Sequence, residues 1–153
     1  MSDLKEILRD RLIQEEGCKL YPYLCPAKKN TIGIGRNLDD NGLSAAELFH
    51  LFGSDINKNI SKSQVLELLK KRGITKEESL YLLDNDIDSI IAELRKQLRV
   101  FNSLDVMRQS VLVDMAFNLG IKGLLCFTMM LGSVYRHEWK EAAKEMRDSL
   151  WYK

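Results

Sequence analysis

An α+β fold, mostly helical with one small sheet near the N-terminus, is predicted by three observations on the 153-residue chain. Apolar residues recur at helical spacing over most of its length, while one stretch, Lys19 to Gly35, changes to a period of two. A helix-opening signal of the Ser/Thr-x-x-Gln/Glu form stands at Ser61 and again at Thr75. Long amphipathic helices set beside a single hairpin make the α+β class.

Taken in order, Leu4, Ile7, Leu8 and Leu12 form the stripe of a first helix that Gly17 stops directly after Glu16. In the period-two stretch, Leu20, Tyr21, Tyr23 and Leu24 precede a Pro/Ala/Lys/Lys/Asn cluster and Thr31-Ile32-Gly33-Ile34-Gly35 follows it, which reads as an antiparallel hairpin. Alternation across the second strand puts Ile32 and Ile34 on one face and leaves Thr31, Gly33 and Gly35 nearly bare on the other. A bare strand face marks either a ligand or a closely packed neighbour, and both readings stay open. Ser44 to Phe52 is a short helix. Ser61-Lys62-Ser63-Gln64 opens another, which ends at Gly73; Thr75 opens a long one whose buried face is Leu80, Leu83, Ile87, Ile90, Ile91 and Leu94. Ser103 is expected to cap the next helix, and its near-continuous apolar content from Val111 to Leu119 marks it as the buried central one. Helices from Phe127 to Tyr135 and from Glu138 onward complete the order.

The composition excludes several classes. With 45% hydrophobic residues there is enough apolar surface to offset the entropy of ordering, so a real core is expected rather than disorder. The 23 Lys+Arg and 22 Asp+Glu leave a net charge of +1, so bulk charge points to no nucleic-acid partner. No stretch approaches the roughly 18 apolar residues of a membrane span, and the N-terminus, charged throughout, lacks the apolar core of a secretory signal. A protein held in the cytoplasm, without membrane insertion, is the expectation. Cys18, Cys25 and Cys126 are odd in number and irregular in spacing, and His50 and His137 are unpaired, so reduced thiols are expected and neither metal nor cofactor. Gly33-Ile34-Gly35 lacks the third glycine of a dinucleotide loop, Leu38 standing there.

The chemistry-bearing constellation is Glu16, Cys25 and Thr31. Glu16 closes a helix, Cys25 lies where the first strand meets its turn, and Thr31 begins the second strand, so the three can converge on one site. Glycoside cleavage needs a carboxylic acid to protonate the leaving oxygen and a second group to handle water or sugar on the opposite face. A cysteine hydrolase, with a histidine serving Cys25 as base, is the alternative.

Glu16-Gly17, Cys25 nine positions after that Glu, and Thr31-Ile32-Gly33-Ile34-Gly35 beginning fifteen after it resemble the catalytic signature of the bacteriophage-type lysozymes. The order continues through Ile74-Thr75-Lys76-Glu77-Glu78, Asp84 to Asp88, Ser103-Leu104-Asp105, Phe117-Asn118-Leu119-Gly120, Phe127, and Trp139-Lys140-Glu141-Ala142-Ala143 to Trp151, and so covers essentially the whole chain. The resemblance implies a muramidase acting on the β-1,4 bond between N-acetylmuramic acid and N-acetylglucosamine, with peptidoglycan as its partner. It implies a hairpin lobe over about 17–74, a connecting helix over about 75–94, and a helical lobe over about 95–153 joined by helix 1–16, with the saccharide cleft between the lobes. Glu16 carries over as general acid and Thr31 as the residue holding water. Gly33, Gly35 and Arg36, with Phe117 and Asn118, are the implied saccharide contacts.

Three departures accompany the resemblance. Cys25 occupies the position of a second catalytic carboxylate, where the family admits Asp or Cys; a free thiol has a pKa of about 8.5, so Lys28 and Lys29 in the adjacent turn are expected to favour its thiolate. The segment from Asn41 to Gly73 is long and enlarges the hairpin lobe. The sequence stops at Trp151-Tyr152-Lys153, where family members continue through a basic segment and a further helix, so apolar surface around Trp139 and Trp151 is expected to be exposed and to favour an oligomer or a protein partner. A scaffold that binds peptidoglycan or a partner without turnover is the competing non-enzymatic reading. An endolysin of this kind waits in the host cytoplasm for a holin-type membrane lesion, and a virion-borne lysozyme fits the same residues.

Overall fold

The structure, a computed structural model, describes residues 2–147. Its elements are α1 (Ser2–Glu16), β1 (Lys19–Leu24), β2 (Asn30–Gly33), β3 (Arg36–Asn37), α2 (Ala45–Phe52), α3 (Lys62–Arg72), α4 (Lys76–Gln97), a 3-10 helix (Arg99–Ser103), α5 (Val106–Leu125), α6 (Thr128–Tyr135) and α7 (Trp139–Arg147). This is the mostly helical α+β class that the sequence predicts. Two compact units divide it, one Arg9–Asn85 and the other Met1–Leu8 with Asp86–Lys153.

In the unit Arg9–Asn85, the antiparallel sheet has the order β1-β2-β3. Ile32 and Leu38 from the sheet region pack with Leu48 and Leu51 of α2, Val65 and Leu69 of α3, Ile74, and Leu82 of α4. Each helix opens where its local chemistry directs. Ser44, Ser61 and Thr75 accept the N–H of Glu47, Gln64 and Glu78, whose side chains accept the cap N–H in return. The pairing runs from Lys19↔Gly33 to Tyr23↔Thr31, so four steps along β1 cover two along β2. This bulge contains Pro22, which has no N–H to give the ladder.

The second strand is shorter than its alternation predicts. Pairing ends at Gly33, and Gly33 (φ +66°) and Gly35 (φ +78°) bend the chain into a turn that starts β3, a strand the sequence pattern does not reveal. Ile34 therefore belongs to the turn, and the bare strand face does not continue beyond Gly33. A Cβ on Gly33 would stand 3.3 Å from Ser79 Cβ and 3.4 Å from Ile74 Cδ1, so close packing accounts for this glycine.

Gly73 is held by a closer approach. The Ile74 N–H donates to Leu20 O at 2.8 Å, which brings the chain after α3 against β1. A Cβ on Gly73 would lie 2.8 Å from the Leu20 carbonyl oxygen, and the residue has φ +69°. Gly73→Ala is expected to lower stability by about 2 kcal/mol, read as a fall in the urea midpoint, because strain and clash act together.

In the other unit, Asp105 rather than Ser103 caps α5: its carboxylate accepts the Arg108 N–H, whereas the Ser103 hydroxyl turns back to donate to Val100 O at 2.6 Å. A capping oxygen must reach the N–H three positions on, and Ser103 stands two residues too early, at the end of the 3-10 helix. Leu112, Val113, Met115 and Ala116 are buried, as the apolar run predicts, and Gly120 (φ 77°, ψ 163°) kinks α5 after them. An open apolar groove of about 190 Å³ is lined by residues including Leu104, Val111, Leu112, Trp139 and Met146, with the Arg108 guanidinium 4.1 Å from the Trp139 ring. Trp151 lies outside the described residues.

Candidate active site

Three anchors place Glu16. Arg9 forks onto Asp84 of α4 at 2.6 and 2.7 Å, which fixes the second half of α1. Gly17 (φ 71°) ends the helix, its N–H donating to Ile13 O at 2.8 Å. Cys18 then meets Ser79 of α4, Sγ to Oγ 3.2 Å; since the Ser79 hydroxyl donates to Lys76 O at 2.7 Å, the Cys18 thiol is the donor of the pair. Ser79 is fully buried and is also the residue against which Gly33 packs. One side chain of α4 thus sets the end of α1 against β2.

Cys25 opens the loop between β1 and β2. Its N–H donates to Lys29 O at 3.0 Å and its carbonyl accepts from the Lys28 N–H at 2.8 Å, with Lys28 in the left-handed region at φ 62°. The closed loop turns amides toward the sulfur. The Lys29 N–H above all, then the Thr31 hydroxyl and the Ala27 N–H, hold the Cys25 thiol below its usual range against an opposing push from desolvation. This revises the part expected of the lysines, because Lys29 acts through its backbone while its ammonium lies 3.4 Å from Asp40. The far end of the loop is braced by Asp39, which accepts the Asn30 N–H at 2.7 Å and its side-chain amide at 3.1 Å.

Thr31 is buried, 4% exposed, and its hydroxyl donates to Lys29 O at 3.0 Å. A hydroxyl has one proton, so a neutral Cys25 donates to Thr31 Oγ1, and a thiolate draws that proton away from Lys29 O.

The residue that the sequence reading passes over is Tyr23. It faces Thr31 across the β1–β2 ladder, and Lys19 Nζ stands 5.3 Å from its ring centroid. Burial first, then the negative charges of Glu16 and Cys25, push its hydroxyl above the ordinary tyrosine range. The charges of Glu16 and Cys25 thus act on the residue that pairs with Thr31, all within one unit. Strand alternation carries the signal that would have found it, since Tyr23 stands two residues before Cys25.

The remaining expected contacts fall elsewhere. Arg36 is not turned to a substrate: it is 5% exposed, forks onto Glu47 at 2.7 and 2.7 Å, and donates to Gly42 O and Leu82 O. Burial of a charge in the core demands such a partner, which corrects the expectation of saccharide contact at Arg36. Gly33 is filled by Ser79, and Gly35 is the turn residue before β3. Phe117 and Asn118 lie on α5 in the other unit, where the Asn118 amide donates to Asp114 O at 2.9 Å and Oδ1 at 3.1 Å. His50 stacks on Tyr81 at 3.8 Å and His137 meets the Trp139 edge at 5.1 Å, so neither imidazole is drawn to Cys25. Among the described residues no group of three or more His, Cys, Asp or Glu gathers as a metal site, and no helix is long and apolar enough to cross a membrane.

The amide-lined loop has a direct chemical consequence. In a Cys18→Ser/Cys126→Ser background, alkylation of Cys25 by iodoacetamide is expected to reach half its maximal rate at a pH below the usual thiol value of about 8.5.

The chain is similar to known proteins over nearly its whole length. Residues 13–153 match the phage lysozyme family. The pre-baseplate central spike protein Gp5 of Enterobacteria phage T4 is 30% identical over 149 residues, which are 95% of this chain and 25% of Gp5. The probable T4-type lysozymes 1 and 2 of Dictyostelium discoideum are 27% and 28% identical over 150 and 151 residues, in each case 94% of this chain and 84% of the relative. The chain thus spans a quarter of Gp5 but most of the length of both T4-type lysozymes. With the match running from the last turns of α1 through the whole helical region, the chain belongs to the phage lysozyme family and is a lysozyme-type glycoside hydrolase.

Proposed function

We propose that the protein is a muramidase that hydrolyses the β-1,4 bond between N-acetylmuramic acid and N-acetylglucosamine in peptidoglycan. The observation that carries this reading is the Cys25–Thr31 pair at the hairpin loop, with its sulfur among backbone amides and its charge felt, together with that of Glu16, at one tyrosine. Glu16 acts as general acid and gives its proton to the glycosidic oxygen as the C–O bond breaks. Water held by Thr31 attacks the anomeric carbon and loses a proton to the Cys25 thiolate. The amide hydrogen bonds that lower the Cys25 pKa favour the thiolate that takes this proton. Water is thereby split across the cleaved bond, leaving Glu16 as carboxylate and Cys25 as thiol, and a proton passed through solvent from the thiol to the carboxylate restores both.

The deciding experiment is digestion of purified peptidoglycan, borohydride reduction, and mass spectrometry of the products. Muropeptides ending in reduced N-acetylmuramic acid are expected; reduced N-acetylglucosamine ends, or new amine ends without reducing ends, would sink the assignment. Cys25 is tested in the same assay. Cys25→Asp is expected to keep activity and Cys25→Ala to lose about a hundredfold, the size of a missing base. A fully active Cys25→Ala would leave the thiol a bystander.

A further inference from the structure

We infer that the Tyr23 hydroxyl is a substrate-binding group, donating a hydrogen bond to a hydroxyl or acetamido oxygen of the saccharide held at Glu16. The inference rests on the muramidase reading for the identity of that ligand and on the geometry around Tyr23 for the rest.

Tyr23 faces Thr31 in the β1–β2 register and precedes Cys25 by two residues, so the strand that delivers the thiol also delivers the phenol. The Lys19 ammonium lies over the ring, 5.3 Å from its centroid, and fixes the ring rather than the hydroxyl. Among the described residues every buried side-chain nitrogen or oxygen has a partner, so Tyr23 Oη, which has none in the chain, opens to solvent while its ring is half-buried. A phenol is an amphipathic group whose hydroxyl ordinarily finds a partner when buried. Here it is open to solvent instead, on the residue paired with Thr31 and two before Cys25, where a bound ligand can reach it.

The electrostatics fit a donor. Burial, Glu16 and Cys25 all oppose ionisation of Tyr23, so the phenol stays neutral and keeps its proton at any pH where the enzyme works. Sugar hydroxyl and acetamido oxygens are acceptors of the matching kind. A site built to hydrogen-bond a substrate in this way discriminates strongly against ligands that lack the acceptor.

Tyr23→Phe removes the hydroxyl and keeps the ring under Lys19. Wild type and variant are compared in chitotetraose binding by titration calorimetry, in kcat and KM on purified peptidoglycan, and in thermal unfolding. The variant is expected to bind chitotetraose about tenfold more weakly, with a correspondingly higher KM, little change in kcat and an unchanged melting temperature. Equal binding and equal KM in the two proteins would overturn the inference and leave the muramidase reading standing. A lower melting temperature with equal binding would make Tyr23 a packing residue and also overturn it. A wild type that binds chitotetraose but does not cleave peptidoglycan would sink the muramidase reading, and the binding ratio alone would then decide Tyr23. A wild type that neither binds nor cleaves would sink both.

Discussion

Glu16→Gln is expected to reduce the release of reducing ends from peptidoglycan by about three orders of magnitude while the protein stays folded. The amide has the shape of the acid but no proton to give to the leaving oxygen, so the step that most needs catalysis loses its acid. The fold is expected to persist, because the end of α1 is made by Gly17 and by the Arg9–Asp84 fork. Replacing a charge in the last turn, where no basic residue stands, also removes repulsion with the negative end of the helix dipole. The melting temperature is therefore expected to stay within a few degrees of the wild-type value. A variant that keeps wild-type turnover would take Glu16 out of the mechanism; one that loses turnover together with its fold would make Glu16 structural.

The difference between what the sequence reveals and what it hides follows the range of the interactions. Ser61 with Gln64 and Thr75 with Glu78 are legible because donor and acceptor stand three residues apart, and no distant partner competes. Ser103 and Asp105 show the limit of that logic: both are good caps two residues apart, and only the 3-10 helix ending at Ser103 decides between them. Glu16, Cys25 and Thr31 are legible as a spacing, yet their support is not. Ser79, 48 positions beyond Thr31, holds both Cys18 and Gly33, and nothing near it in the sequence announces that task. The bare strand face misleads for the same reason. A glycine that makes room for a ligand and one that makes room for Ser79 look alike until the third element is in place. Tyr23 hides differently, because an aromatic in a strand is read as apolar filling before its hydroxyl is considered.

Glu47→Gln is expected to destabilise the unit Arg9–Asn85 by about 3–5 kcal/mol, measured as the shift in its urea or thermal unfolding transition. This one carboxylate holds together three parts of the unit. It accepts both arms of Arg36 from β3, the Asn85 amide of α4 at 2.9 Å, and the Ser44 N–H at 2.9 Å as the reciprocal half of the α2 cap. Burial alone would raise its pKa; the Arg36 fork, Asn85 and Ser44 outweigh that and bring it to about 2. A folded-state value below the unfolded value of about 4.3 means that the stabilisation is complete above the unfolded pKa and is lost as pH falls through the folded one. Acid sensitivity between roughly pH 4.5 and 2 should accordingly be present in the wild type and weaker in Glu47→Gln. The amide leaves the Arg36 guanidinium, 6% exposed, facing a neutral partner, so the cost is that of an uncompensated charge rather than of one lost contact. An Arg36→Met/Glu47→Leu pair removes both charges and should recover most of the stability. The double variant is also expected to cleave peptidoglycan with an unchanged KM, because the Arg36 guanidinium is spent inside the core on Glu47, Gly42 O and Leu82 O.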